Sequence, residues 1–284
     1  MVRTLSTYLF IKRKLTPALL TDIARHGISA VEIFCAISHF NYHSSDAVRE
    51  IAGTLRDQNL TLHALHSPAE RDFNPMHESS APLSICDPAR VRRLEAVDEV
   101  KRALDVAEYI PFRYLVQHVG SSRDTMDERR FDAAFSSLEH LHIFAKARGV
   151  TVALENTPGE LATPAHLRKF IIDTRLTDLR LCFDIGHAHI GDGVQASLEA
   201  MREFLVTSHI HDNHGMKDEH LLPYEGTIEW KTALPALPQN LPLVFELKEQ
   251  PAYADPAPTS VALAAARAAF DRVEEALSSP ESER

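Results

Sequence analysis

The sequence predicts a single (β/α)8 TIM barrel, and three observations predict it. Short β-branched or apolar runs alternate with amphipathic stretches, the order is always strand then helix, and the pair occurs eight times in 284 residues. That order implies parallel strands with right-handed crossovers, and eight such units can close into a barrel. An open doubly wound sheet is the alternative arrangement of the same elements. The barrel is expected over residues 1–277, and "SSPESER" at 278–284 reads as a disordered tail.

The units follow in order. "TLSTYLF" leads to "TPALLTDIARHG", where Thr16 stands before Pro17, a capping hydroxyl ahead of a proline in the first helical turn. "AVEIFC" leads to "SSDAVREIAGTLRDQN". "LTLHALHS" runs through a long loop, "SPAERDFNPMHESSAPLSICDPAR", into "DPARVRRLEAVDEVKRALDVAEYI", with Asp87 before Pro88 as the second such cap. "RYLVQHVG" precedes "DERRFDAAFSSLEHLHIFAKARG", and "VTVALENTPG" precedes "TPAHLRKFIIDTR", capped by Thr163 before Pro164. "LRLCFDIGHAHI" is paired with "GVQASLEAMREFLV". "TSHIHDN" passes through a loop dense in histidines and carboxylates to "EWKTALPALPQN", and "LPLVFELK" passes through "PAYADPAPTS" to "SVALAAARAAFDRVEEALSS".

Composition bounds the function. A formal net charge of −10 and a pI near 5.9 would repel a polyanion, so nucleic acid is a disfavoured partner. Cys35, Cys86 and Cys182 are odd in number and lack paired spacing, which argues for a reducing compartment and a cytoplasmic protein. No apolar run approaches a membrane span, and no signal segment opens the chain. A homo-oligomer is left open.

The polar residues fall where a barrel carries its chemistry. His66, His118, Glu155, Asp184, His211 and Glu246 lie at or near the C-terminal ends of the third to eighth strands in turn. Residues two apart share a strand face, so Leu62 and Ala64 lead to His66, Tyr114 and Val116 to His118, Thr151 and Ala153 to Glu155, and Cys182 to Asp184. Each strand is thus expected to point packing residues into the barrel and to end in a polar group at its mouth. His209 shares a face with His211 and is expected one layer deeper. An isolated inward histidine is usually a hydrogen-bonded core residue; six polar groups on successive strands form a site. Three carboxylates buried together repel one another unless a cation compensates them. Oxygen and imidazole donors without thiolate suit Mn, Mg, Co or Zn.

The segments "VALENTPG", "CFDIGHAHI", "HIHDNHG…DEHLLPYEGTIEW" and "VFELK" resemble signatures of the xylose-isomerase-like barrel superfamily, in particular its sugar isomerase/epimerase branch and its relative endonuclease IV. The resemblance spans the second to eighth strands. For an epimerase-type member it implies one divalent ion held by Glu155, Asp184, His211 and Glu246, with His187 as a substrate-binding histidine. Lys217 falls where some epimerases place a basic substrate contact, and Glu32 matches an acidic position common in the superfamily. Endonuclease IV spreads more ligands over three zinc ions, and the chain has a candidate for each: His66, His118, Glu155, Asp184, His187, His211, Asp218, His220 and Glu246. It departs where the DNA enzymes carry "DRH", since Glu219 here replaces the base that would meet phosphate.

The resemblance to the sugar enzymes therefore implies a small-molecule sugar or polyol substrate. A proton leaves the carbon beside a carbonyl, with Glu155 and Glu246 as base and acid and a divalent ion as Lewis acid toward an enediolate. Return of the proton to the opposite face is epimerisation; return to the neighbouring carbon is isomerisation. An abasic-site DNA phosphodiesterase and a related dehydratase are the alternatives. The loops after the third and eighth strands are long enough to cover the site, and their lack of glycine favours a free sugar over a sugar phosphate.

Overall fold

The computed structural model describes residues 1–71, 81–121, 124–249 and 258–278. Eight parallel strands close a barrel: β1 (Thr4–Ser6), β2 (Ala30–Phe34), β3 (Thr61–His66), β4 (Tyr114–His118), β5 (Thr151–Glu155), β6 (Arg180–Asp184), β7 (Leu205–Ile210) and β8 (Leu243–Phe245). Closure sets Thr4 opposite Val244 and Leu5 opposite Phe245, which rules out the open sheet. The helices are α1 (Pro17–Arg25), α2 (Ser45–Asp57), α3 (Arg90–Leu104), α4 (Glu128–Lys146), α5 (Pro164–Thr174), α6 (Ile185–Ile190), α7 (Val194–Met201), α8 (Trp230–Ala236) and α9 (Thr259–Ser278). A small antiparallel ribbon pairs Glu70–Arg71 with Ala81–Pro82.

Two of the three proline-led caps are as expected. Thr16 accepts from the Leu19 N–H and Thr163 from the His166 N–H, each with proline in the first turn. The third is displaced: α3 begins at Arg90, and Asp87 instead accepts from the Ala89 N–H at 2.8 Å and pairs with Arg92. β1 stops at Ser6 because Thr7–Phe10 coils into a 3-10 turn capped by the Ser6 hydroxyl. β6 stops at Asp184, whose carboxylate caps α6, so "IGHAHI" is helical. β7 begins at Leu205, so the last two residues of the stretch expected as the preceding helix, Leu205 and Val206, are strand.

The strands' outward faces pack under the helices, with Leu65, Leu115, Leu154 and Phe183 fully buried and Phe245 stacked on Phe270 of α9 at 3.9 Å. The inner face is small and apolar as expected, built from Ala64, Tyr114, Val116, Ala153 and Cys182. Leu62 is the exception. The β2–β3 register slips so that Val31 faces Leu62 but Glu32 faces Ala64. His63 is the inserted residue, and Leu62 turns out to the helix layer. A matching slip on β7 places Val206 against the inner cluster. Among the described residues no helix is long and apolar enough to cross a membrane. Much of the expected cover over the site, 72–80 and 250–257, and tail residues 279–284 lie outside the described residues, while α9 runs to Ser278.

Candidate active site

The strand ends converge. His118 Nε2 lies 3.0 Å and His66 Nε2 3.4 Å from Glu155 Oε2, and the two imidazole nitrogens are 3.2 Å apart. From the other side His209 Nδ1 approaches Glu155 Oε1 at 3.2 Å, Glu246 Oε2 at 3.4 Å and Asp184 Oδ2 at 3.7 Å. Donor atoms of Glu155, Asp184, His209 and Glu246 all lie within 4.8 Å of one another, and all four residues are buried.

The histidine among the three carboxylates is therefore His209, where the sequence pointed to His211. Parallel register explains the exchange. His209 stands opposite Asp184 on β6 and Val244 on β8, level with the middle acid of the three, whereas His211 lies beyond the end of β7. His211 Nε2 still reaches both Asp184 carboxylate oxygens at 3.1 Å, and its ring stacks on His220 at 4.2 Å. Gly186 makes room for it, since a Cβ there would fall 1.9 Å from the His211 ring.

Next to this quartet stands another group. His220 Nε2 is 2.9 Å and His187 Nε2 3.3 Å from Asp218 Oδ2, with His211 Nε2 at 3.8 Å from Asp218 Oδ1. The His187 Nδ1–H donates to the Asn156 carbonyl at 2.9 Å, leaving Nε2 toward Asp218. Asn156 also ties the ends of β5 and β6 together, accepting from the Asp184 N–H at 2.8 Å and donating to the Asp184 carbonyl at 2.9 Å. Glu32 and Lys217 stand outside these donor groups. Glu32 is fully buried beside His209, where a β2 side chain points to the barrel axis, and is not among the described residues lining the cavity over the site; Lys217 sits exposed on the loop after β7.

That loop, "HIHDNHGMKDEHLLPYEGTIEW", is organised by a residue the sequence reading did not single out. Asp212 is fully buried and accepts four hydrogen bonds: from the N–H groups of Asn213 (2.8 Å), Tyr224 (3.0 Å) and Ile228 (3.1 Å) and from Trp230 Nε1 (2.7 Å). Gly226 packs so close that a Cβ would lie 2.3 Å from Asp212 Oδ1. The same loop holds His220 and Tyr224 at φ 49° and 73°, left-handed conformations that cost a non-glycine residue of order 1–3 kcal/mol. Asp212→Asn should release this loop, because an amide turns a donor toward N–H groups; we expect a loss of about 1–3 kcal/mol in stability. The chain's single tryptophan, Trp230, reports it directly: its emission should shift to the red in the variant, and an unchanged spectrum and Tm would contradict the anchoring role.

Electrostatics sets what the site can hold. Burial alone would raise the Glu155 carboxyl, yet His209 and His118 hold it well below the usual carboxylate range. Burial would likewise lower His187 and His209, and the surrounding acids hold both imidazoles well above the ordinary histidine value. Acids at this density need positive charge, from imidazolium or from a cation. The residues fit a divalent ion: three carboxylates and an imidazole converge, and burial pushes the Cys182 thiol beneath them up, so no thiolate joins the set. Above them opens a cavity of about 420 Å³, walled in part by Tyr8, Phe34, Gln117 and Thr157 and carrying no Lys or Arg among its described lining residues.

Comparison with known proteins agrees with the barrel fold. A solved D-tagatose 3-epimerase-like protein superposes with a TM-score of 0.78 at 23% identity, covering 98% of this chain and 97% of that one. The IOLI protein, solved with a binding zinc atom, superposes at 0.79 with 17% identity over 98% and 100% of the two chains. A probable endonuclease 4 of Natronomonas pharaonis is 27% identical over 169 residues, 53% of this chain and 60% of its own length. The model of the xylose isomerase-like TIM barrel family matches residues 20–268. The chain belongs to the xylose isomerase-like TIM barrel family.

Proposed function

We propose that the protein is a divalent-metal-dependent isomerase or epimerase of a small uncharged sugar or polyol. The observation that carries this reading is the convergence of Glu155, Asp184, His209 and Glu246, two of which, Glu155 and Glu246, line a cavity without a Lys or Arg among its described lining residues. When bound, a divalent cation supplies Lewis acidity toward a carbonyl and the hydroxyl beside it. Glu155, Asp184, His209 and Glu246 would hold it. Glu246 takes the proton from the carbon next to the carbonyl, and Glu155, three strands away with β6 and β7 between, serves the opposite face. The rings of Tyr8 and Phe34, 5.1 Å apart and tilted by 41°, offer an apolar wall to the C–H face of a sugar. The epimerase-like and zinc-holding structural neighbours support the same reading.

A second reading is favoured by a specific observation. His66, His118 and Glu155 on one flank, and Asp218 with His187 and His220 on the other, gather residues that the resemblance to endonuclease IV counts among the candidate ligands of three zinc ions. The two readings differ in what they require of the surface, because a phosphate backbone needs cations that release counterions. Purified protein loaded with Zn2+ or Mn2+ should leave a duplex with an abasic site intact at physiological salt. Efficient nicking, lost in Glu155→Gln, would replace the first reading with the second.

A further inference from the structure

We infer that Glu32 is a positioning residue of the metal centre: it holds the Nε2–H of His209 and so leaves Nδ1 as the lone pair turned toward Glu155, Asp184 and Glu246. The inference rests on the metal-dependent reading above and adds a residue that neither the cavity nor the donor cluster contains.

Three observations carry it. Glu32 Oε2 lies 3.1 Å from His209 Nε2, and both side chains are fully buried, so water cannot substitute for either partner. The other oxygen, Oε1, has no hydrogen-bond partner. A buried carboxylate kept for structure alone would be expected to satisfy both oxygens, since an unsatisfied buried acceptor is costly; this one directs its single contact at one imidazole nitrogen. Finally, the His209 ring spans the gap between one acid and three, with Nε2 on Glu32 and Nδ1 within 3.7 Å of all three mouth carboxylates.

The tautomer follows from this placement. A neutral imidazole has one N–H and one lone pair. A lone pair on Nε2 would face a carboxylate lone pair across 3.1 Å, which repels. With a cation before Nδ1 and the ring neutral, the proton therefore belongs on Nε2 and the lone pair on Nδ1; without the cation, Nδ1 meets Glu155 Oε1 at 3.2 Å as a second donor. An acid behind a ligating histidine fixes ring orientation and makes the imidazole a better donor, and loss of such a partner lowers metal affinity by about 10- to 100-fold. Glu32 can do this from below because it faces Ser6 and Ala64 across its neighbouring strands, both small, which leaves its side chain room on the barrel axis.

The test uses Co2+ alone as the probe, titrated calorimetrically into the full chain after chelator treatment. Glu32→Gln keeps the shape and one acceptor oxygen but removes the charge. Co2+ affinity should fall about 10- to 100-fold, and the metal-free Tm should fall as well, because the buried His209 ring loses its charged partner. Long-range 1H–15N spectra of the wild-type chain with Zn2+ give a readout that does not depend on the variant folding. They should place the His209 proton on Nε2 and the metal on Nδ1. Equal Co2+ affinity in wild type and Glu32→Gln, or ligation through Nε2, overturns the inference and leaves the metal reading standing. A wild-type chain that binds no Co2+ overturns both.

Discussion

Asp184→Ala should lose the divalent ion and with it essentially all turnover, on the order of 10³-fold or more, since Lewis-acid stabilisation contributes several kcal/mol and each 1.36 kcal/mol is tenfold in rate. Asp184 is the side chain on which most of the site depends. It is fully buried, lies 3.1 Å from His211 Nε2, and its Oδ1 accepts from the His187 N–H at 2.6 Å as the cap of α6. Alanine therefore removes a donor and a cap together, and capping alone is worth about 1 kcal/mol. Asp184→Asn separates the two. An asparagine oxygen caps a helix about as well as an aspartate but is a poorer ligand without its charge. Both variants should fail to retain metal by elemental analysis after dialysis, and only Asp184→Ala should also show a lowered metal-free Tm. Full turnover in chelator-treated wild type, or in either variant, would end the metal-dependent reading.

The extent to which this site could be read beforehand follows from which constraints are local. Alternation along a strand is local, so Ala64, Val116, Ala153 and Cys182 could be placed inside the barrel from spacing alone, with His66, His118, Glu155 and Asp184 above them. A bulge is not. One extra residue at His63 reverses the face of Leu62 without any compositional mark, because what changes is the register with β2. Register also decided between His209 and His211. Both point the same way, and only the pairing of His209 with Asp184 shows which histidine stands beside that acid. Glu32 illustrates the limit most clearly: its one partner is 177 residues distant in sequence, so its polarity was visible and its purpose was not. Asp212 was passed over for a related reason. An acid in a loop already crowded with acids carries no signal until its four donors, spread from Asn213 to Trp230, are seen to converge on it.

Glu246→Gln should separate proton transfer from metal binding. Glu246 lies just past β8, its N–H bonded to the Ile210 carbonyl at 3.3 Å, which keeps the side chain at the mouth beside His209. Its backbone carbonyl accepts from His220 Nδ1 at 2.9 Å, so the main chain at this position is held independently of the carboxylate. Glutamine preserves the shape and one oxygen donor but cannot take up a proton. The loss should appear in kcat, about 10²-fold or more, with KM little changed, because a base acts in the transition state and not in the ground-state complex. Solvent isotope then identifies the step. A carboxylic acid exchanges its proton with water between turnovers, so product formed in D2O from a confirmed sugar substrate should carry deuterium at the carbon beside the carbonyl, and Glu246→Gln should suppress that label in proportion to kcat. A hydride shift between adjacent carbons would move substrate hydrogen without label. Unlabelled product at full rate would thus rule out the two-glutamate exchange while leaving the metal centre, and the role of Asp184 in it, untouched.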